Sequence, residues 1–347
     1  MRIILDSIAN TSYNYYYTLE EIIAPMVASK QTFTADTDPI ISSNKSIDAN
    51  INTTALHHII CNDKAIQFKE WKALCDGDTN IVQEAVDMLT KDHAEITITQ
   101  IGAHVGFEPN DPISSGLVSL MDNLPSTYRD RFHWTFVEPS PPNYARLVDN
   151  LKKYEDVCDM SSMNVAVVSD EIGTTSKDMV FYSIRDTIDP ETGFDSISNQ
   201  TFPHWISQVS SFSMDPIYFH KKRFERMGLD MYDYVVKTNV TTKSFSSIMA
   251  DVMDRSIMNS KKKTIESSKQ QPFLALIDTE GFDCDIVLGI SPDSKYLPKF
   301  IVFEVKSCLN QYMSHVRKHL ERIGYNVARV NHENAVAILL KKKESDI

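Results

Sequence analysis

The chain of 347 residues has no apolar stretch approaching the roughly 18 residues of a membrane-crossing helix. Its opening, Met1-Arg2-Ile3-Ile4-Leu5-Asp6, holds too short an apolar run for an export signal. Basic residues are in deficit, with 35 Lys and Arg against 47 Asp and Glu, and the net charge of −12 argues against a nucleic-acid-coating protein. The cluster Lys221-Lys222-Arg223 with Arg226 reads as a solvated helix face, or as a place to meet an anionic substrate. No Cys-x-x-Cys pair occurs. The five cysteines (Cys61, Cys75, Cys158, Cys284, Cys308) are odd in number and scattered, so neither a zinc site nor a disulfide framework is expected. Cys158, Cys284 and Cys308 stand in apolar or helical contexts and are expected to be small buried hydrophobes in a reducing, cytoplasmic compartment. There is no internal repeat. What is there is an ordinary globular balance, 42% hydrophobic and 24% charged, in a chain long enough for one large α/β domain with extensions.

Residues 1–94 are polar and rich in Thr, Asn and Asp, without a clear strand pattern. Helices are expected over Thr18 to Lys30 and Asn80 to Asp92, the second with Ile81, Val82, Ala85, Val86 and Leu89 on one stripe, and a long loop around Asp36 to Asn52. This region is expected to be a cap packed on a main domain spanning 95–347. From residue 95 the pattern alternates. Strands are expected at 96–101, 133–138, 163–168, 273–277, 300–305, 325–330 and 334–340, and helices near 116–123 and at 141–154, 282–289 and 309–323. Strands alternating with helices imply βαβ units and a mostly parallel sheet, and the closing pair without a helix implies an antiparallel C-terminal edge. Residues 170–272 break the pattern and form a large insertion before the fourth strand. It is aromatic-rich, with a helix expected over Thr241 to Met253 and an exposed linker at Lys261-Lys262-Lys263. Its place on the carboxyl-end side of the sheet suggests a substrate lid.

The most pointed signal is the strand Ile96 to Ile101 running into Gly102-Ala103-His104-Val105-Gly106, with a second strand ending Val137-Glu138-Pro139. Glycines let backbone approach a ligand, and an acid at the second strand tip can accept hydrogen bonds from a ribose diol. A dinucleotide site asks for G-x-G-x-x-G and a pyrophosphate cradle. Here the spacing is G-x-x-x-G, with His104 two residues after Gly102, which suits S-adenosylmethionine better because that molecule has no phosphate to hold.

Four segments in order give the chain a resemblance to the FkbM-type family of S-adenosylmethionine-dependent methyltransferases. They are Ile101 to Gly106, Val137-Glu138-Pro139 with the helix Asn143 to Leu151, Asn164 to Asp170, and Ile277-Asp278-Thr279-Glu280-Gly281. The last continues through Asp283, Asp285 and Gly289 to a strand Phe300 to Glu304. The resemblance covers about residues 96–340. It implies a class I, Rossmann-like α/β fold, S-adenosylmethionine as cofactor, and O-methylation of a small-molecule or glycan hydroxyl or carboxyl, with no nucleic acid or membrane as partner. Carried over by position, Gly102, Ala103, His104 and Gly106 would line the methionine and ribose part of the cofactor, with Glu138 on the ribose hydroxyls and Pro139 beside it. Asn164, Val165 and Ala166 would lie by the adenine, and Asp278 and Glu280 at the fourth strand tip would face the substrate and the cofactor. The family usually has an acid where Gln100 stands. Asp111, in Asn110-Asp111-Pro112, could take over its role, or that tripeptide is an ordinary turn.

A hydroxyl acceptor needs a base as well as alignment. Asp278 leads the candidates by position, with Glu280, His104, His204 and His220 behind it. Glu280 can instead cap the following helix. Asp278, Asp283 and Glu304 could together hold a divalent ion, although their spacing is no recognised metal motif. A silent binding or scaffold protein that keeps the fold but transfers nothing is the competing reading.

Overall fold

The computed structural model describes residues 81–90, 94–107, 116–118, 121–122, 124, 126–156, 158–170, 178–189, 192–259, 271–306, 308, 310–329 and 333–340. All belong to one compact unit, residues 50–347; the other unit, residues 1–49, lies outside the described residues. The helix expected over Thr18 to Lys30, the loop at Asp36 to Asn52 and the linker Lys261 to Lys263 also fall outside them.

The core is a sheet of seven strands: β1 (Ile96–Ile101), β2 (Phe132–Val137), β3 (Asp159–Met163), β10 (Leu274–Ile277), β11 (Phe300–Glu304), β12 (Tyr325–Arg329) and β13 (Asn334–Leu339). They lie in the order β12-β13-β11-β10-β1-β2-β3. Counted along the chain from the far edge, that is three, two, one, four, five, seven, six. β1, β2, β3, β10 and β11 pair in parallel, and β13 runs against both its neighbours. This is a Rossmann-like α/β sheet with the strand order and the single reversed strand of the class I methyltransferase fold. The reversed strand lies one place in from the edge, with β12 outside it.

Burial on both faces explains the sequences. β1, β2 and β10 are buried along their whole lengths, so they read as nearly continuous apolar or β-branched runs. On one face Ile96, Ile98, Trp134 and Phe136 pack with α1 (Ile81–Thr90) and Leu147 of α3 (Pro141–Leu151). The stripe Ile81, Val82, Ala85, Val86 and Leu89 is the buried side of α1, as its period required. On this same side a short helix, α2 (Ser126–Arg129), leads into β2. The other face packs Ile101, Ile277 and Phe303 against α6 (Phe245–Asn259), α7 (Asp283–Leu288) and α8 (Asn310–Arg322).

Two expectations about strands and helices are corrected. The third sheet strand is β3, Asp159–Met163, not residues 163–168. As the edge strand it is only half-buried and carries serines and an aspartate in place of the β-branched run expected of a central strand. β4 (Ala166–Val168) leaves the central sheet and pairs with β9 (Val235–Ser244). Residues 241–244 are thus the end of β9, and the helix begins at Phe245. Ser244 starts it, its hydroxyl accepting from Ser247 N–H at 3.1 Å. Asp170 braces the same turn by accepting from Ser246 N–H at 2.8 Å.

The insertion is built on β5 (Asp178–Ile184), β8 (Ser210–Ser211) and β9, with a small hairpin of β6 (Phe194–Asp195) and β7 (Gln200–Thr201). Short helices α4 (Asp215–Tyr218) and α5 (Lys221–Arg226) follow β8. It has its own apolar cluster around Phe202, Ile206, Phe224 and Tyr234. Buried Asp195 ties it together, accepting from Ser198 Oγ at 2.6 Å and Tyr234 Oη at 3.0 Å, with Arg185 at 3.3 Å.

The cysteine reading is also corrected. Cys284 in α7 and Cys308 beyond β11 are joined in a disulfide, their Cα atoms 6.3 Å apart. The two lie 24 residues apart in sequence and meet because the chain returns through β11 beside α7, which spacing alone does not show. Cys158 is a buried thiol as expected, pushed up to about 12 by burial and then by the charge of Asp159. Among the described residues no helix is long and apolar enough to cross a membrane.

Candidate functional site

A cavity of about 480 Å³ opens at the carboxyl ends of β1, β2, β10 and β11. The strand order reverses between β1 and β10, so the first βα turn leaves a crevice there. The turn after β1 is fixed by the tip of β2: Gly102 N–H and Ala103 N–H both donate to the Val137 carbonyl, at 2.9 and 3.0 Å. Gly102 has φ +79°, and a Cβ there would run into the carbonyl of Asp278. The glycine is therefore demanded both by its dihedral and by the approach of two strand tips.

His104 also has positive φ, at +47°, and this aims its backbone N–H at Glu138 Oε2, 2.8 Å away. Ser140 N–H donates to the other oxygen at 2.7 Å. Glu138 is 4% exposed. Burial pushes its carboxyl up to about 7, in spite of His104 and the two backbone donors that favour the ionised form. Asn164 does not line the cavity. It donates to the carbonyls of Glu138 and Pro139, at 2.9 and 3.2 Å, and so braces the loop that presents Glu138.

Across the cavity, the β10 tip carries Asp278-Thr279-Glu280-Gly281. Asp278 N–H is tied to the Ile101 carbonyl at 2.9 Å, while Glu280 and Gly281 take positive φ, +53° and +108°. The residue that holds this turn is Asp283, which is fully buried and accepts from Thr279 N–H at 3.0 Å and Gly281 N–H at 3.2 Å. Burial raises its carboxyl to about 6 against those bonds. Glu304 at the β11 tip is raised further, to about 8, by burial and then by the charges of Asp283 and Glu280.

One cavity thus brings together Gln100, Gly102, Ala103, His104, Gly106, Glu138, Pro139, Val165, Ala166, Asp278 and Glu280. Asp111 lies outside the described residues. Of the insertion histidines, His220 sets its ring centroid 4.9 Å from that of Trp205, tilted by 57°, and is not a lining residue, and His204 opens a 3-10 turn, His204–Gln208. No group of three or more His, Cys, Asp or Glu among the described residues is placed to hold a metal ion, Asp278, Asp283 and Glu304 included.

Several lining residues were not singled out from the sequence. The insertion supplies Phe181, Gln208, Ser210, Ser211 and Phe212, and Glu333 comes from the turn before β13. Phe212 bridges Phe181 and Phe282, its ring centroid 5.4 and 5.3 Å from theirs. The aromatic richness of the insertion was a signal, but which rings face the cavity depends on how β5 and β8 pair. Among the described residues, none that lines the cavity is Lys or Arg.

Comparison with protein-family models and with curated proteins finds no match. Among solved structures, the chain is similar to a precorrin-6y C5,15-methyltransferase from Geobacter metallireducens GS-15, with 11% identity, 74% of this chain and 89% of that chain covered, and a TM-score of 0.29. It is also similar to a Staphylococcus aureus protein provisionally named a caffeoyl-CoA O-methyltransferase, with 9% identity, 84% and 100% covered, and a TM-score of 0.30.

Proposed function

We propose that this chain is an S-adenosylmethionine-dependent methyltransferase acting on a small-molecule or glycan acceptor. One observation carries the reading: the cavity at the strand-order reversal presents an acid at the β2 tip and a glycine turn, with no Lys or Arg among the described residues of its lining. Such a lining suits a positively charged, phosphate-free cofactor. When bound, S-adenosylmethionine supplies a methyl group on a sulfonium sulfur.

The chain's own residues then bind, orient and move a proton. Gln100, Gly102, Ala103, His104 and Gly106 form the wall under the methionine and ribose end. Glu138, held by two backbone N–H groups, accepts from ribose hydroxyls. Val165 and Ala166 flank the base, with Asn164 and Pro139 holding that loop. Asp278, Glu280 and His104 face the acceptor, and Asp278 leads as the group that takes a hydroxyl proton for O-methylation. Residues 95–347 make the catalytic domain, with residues 170–272 as its inserted lid.

Calorimetric titration with S-adenosylmethionine and S-adenosylhomocysteine tests this. Micromolar binding by the wild type, lost in Glu138→Ala, supports the reading, and no binding to the intact protein overturns it. Gln100, at a position where an acid is usual in the family the chain resembles, supports the competing reading of a silent binding fold. That version is told from the active one by its lack of measurable cofactor affinity.

A further inference from the structure

Both ends of the Cys284–Cys308 bond are attached to walls of the cavity. Cys284 follows Asp283, the buried carboxylate that accepts from Thr279 N–H and Gly281 N–H and so fixes the Asp278 to Gly281 turn. Phe282, one residue further back, lines the cavity and meets Phe212 of the insertion with ring centroids 5.3 Å apart. Cys308 closes the turn after β11, its N–H donating to the Val305 carbonyl at 3.1 Å, and Glu304 at the end of that strand lines the cavity. One covalent bond, between Cα atoms 6.3 Å apart, therefore couples the turn at the β10 tip to the turn at the β11 tip.

The rest of α7 has other anchors. Ile286 and Val287 are buried in the cluster that includes Val316 and Leu320 of α8, and Tyr312 Oη donates to Asp285. Cutting the disulfide leaves those contacts in place. The body of α7 stays docked, and what is released is its first turn, with Asp283 and the β10 tip. The two sulfurs differ in access, since Cys284 is 3% exposed and Cys308 is half-buried. A thiolate arriving from solvent reaches Cys308 Sγ first.

We propose that the Cys284–Cys308 pair is a redox switch on the cavity. As a disulfide it holds the β10 tip in binding geometry, and as a dithiol it lets that tip open. The step is exchange with a small-molecule thiol. The incoming thiolate bonds to Cys308 Sγ as the protein S–S bond breaks, and Cys284 leaves as a thiolate and takes up a proton. A second thiolate attacks the outer sulfur of the mixed disulfide and frees Cys308, which is protonated in turn. The protein gains two electrons and two protons, and two small thiols leave as one disulfide. The reverse exchange with that disulfide restores the bond. Only the ligand that the switch controls, S-adenosylmethionine, rests on the methyltransferase reading.

The test pairs hydrogen exchange read by mass spectrometry with calorimetric titration of S-adenosylhomocysteine. Both are run on the intact protein, oxidised with glutathione disulfide or reduced with excess glutathione, well below the melting temperature. Glutathione is expected to open the bond in the native protein. Amides of residues 278–283 are then expected to exchange about ten-fold faster than in the oxidised protein, with residues 96–101 unchanged. S-adenosylhomocysteine is expected to bind about five-fold more weakly to the reduced form, because binding must then order the turn, and to regain its affinity on reoxidation. Cys308→Ser is expected to match the reduced protein in both readouts and to ignore glutathione, whereas Cys158→Ser is expected to respond as the wild type does. A bond that opens only in denaturant, or equal exchange at residues 278–283 in the two redox states, overturns the switch. So does equal affinity for S-adenosylhomocysteine in the two states. No S-adenosylhomocysteine binding in either state, with the exchange difference present, overturns the methyltransferase reading and leaves the switch standing.

Discussion

Gly102 lies against the carbonyl of Asp278, so close that a Cβ on the glycine would overlap the oxygen. The contact joins the tips of β1 and β10, the two strands between which the sheet order reverses, and so sets one dimension of the cavity. Gly102→Ala must strain a φ of +79° and push the Asp278 turn away at once. Denaturant unfolding is expected to show a loss of at least about 3 kcal/mol. Gly228→Ala is the matched control: its φ is +70°, but a Cβ there meets nothing within 4 Å. Only the dihedral cost of about 1–2 kcal/mol is expected. Equal losses in the two variants would show that the contact with Asp278 does not matter.

Glu138 satisfies two backbone N–H groups of the loops that frame the cavity. Glu138→Ala leaves both buried without an acceptor and is expected to cost about 2–3 kcal/mol in urea unfolding, besides abolishing S-adenosylhomocysteine binding. If the ionised carboxylate accepts the ribose hydroxyls, affinity is fully present above its raised pKa of about 7 and is lost as pH falls through that value. Glu138→Gln should bind weakly with no such pH dependence. A wild-type affinity constant from pH 5.5 to 8.5 would remove Glu138 from the cofactor's recognition.

At the amino ends of the strands, away from the cavity, His133 is clamped between Asp159 at 2.8 Å and Glu95 at 3.3 Å. Burial alone would lower its pKa, but the hydrogen bonds and charges of the two carboxylates outweigh it and push it up from 6.5 to about 9. A group raised on folding stabilises fully below its unfolded pKa and loses that contribution as pH rises through the folded value. The clamp is therefore at full strength below pH 6.5 and fades through pH 9. His133→Gln is expected to lower stability by about 2 kcal/mol at pH 6 and by much less at pH 10, read from melting curves at both.

The Cys284–Cys308 disulfide closes a loop separated by 24 residues. In the chain-entropy account such a loop is worth about 3 kcal/mol. Mild reductant, or Cys284→Ser, is expected to lower the melting temperature by several degrees, and mass spectrometry under denaturing conditions should find the pair unlabelled by a thiol reagent before reduction. Labelling of both cysteines in the native, unreduced protein would refute the bond.

Much of the central sheet is legible along the chain because β1, β2, β10 and β11 are buried on both faces, and burial forces a continuous apolar run that any reader can see. The glycine turn, Glu138 and the Asp278 to Gly281 turn are equally legible, since a positive φ or a strand-tip acid leaves a fixed residue type at a fixed spacing. β3 was displaced by a few residues because an edge strand is half-solvated, and solvation removes the pressure for apolar residues that marks the others. The end of β9 reads locally as helix because what keeps it extended is pairing with distant strands, Thr241 with β5 and Thr242 to Ser244 with β4.

The Cys284–Cys308 bond, the bracing of the second strand tip by Asn164, the grip of Asp283 on its turn, and the choice of Phe181 and Phe212 as walls are set by packing between segments far apart in sequence. Nothing local to those residues encodes them. A strand's period depends on its own neighbours along the chain, and so it is written there. Which side chains from an insertion, a βα turn and two strand tips come to share one cavity depends on where the sheet reverses its order, and that is fixed only when all seven strands are in place.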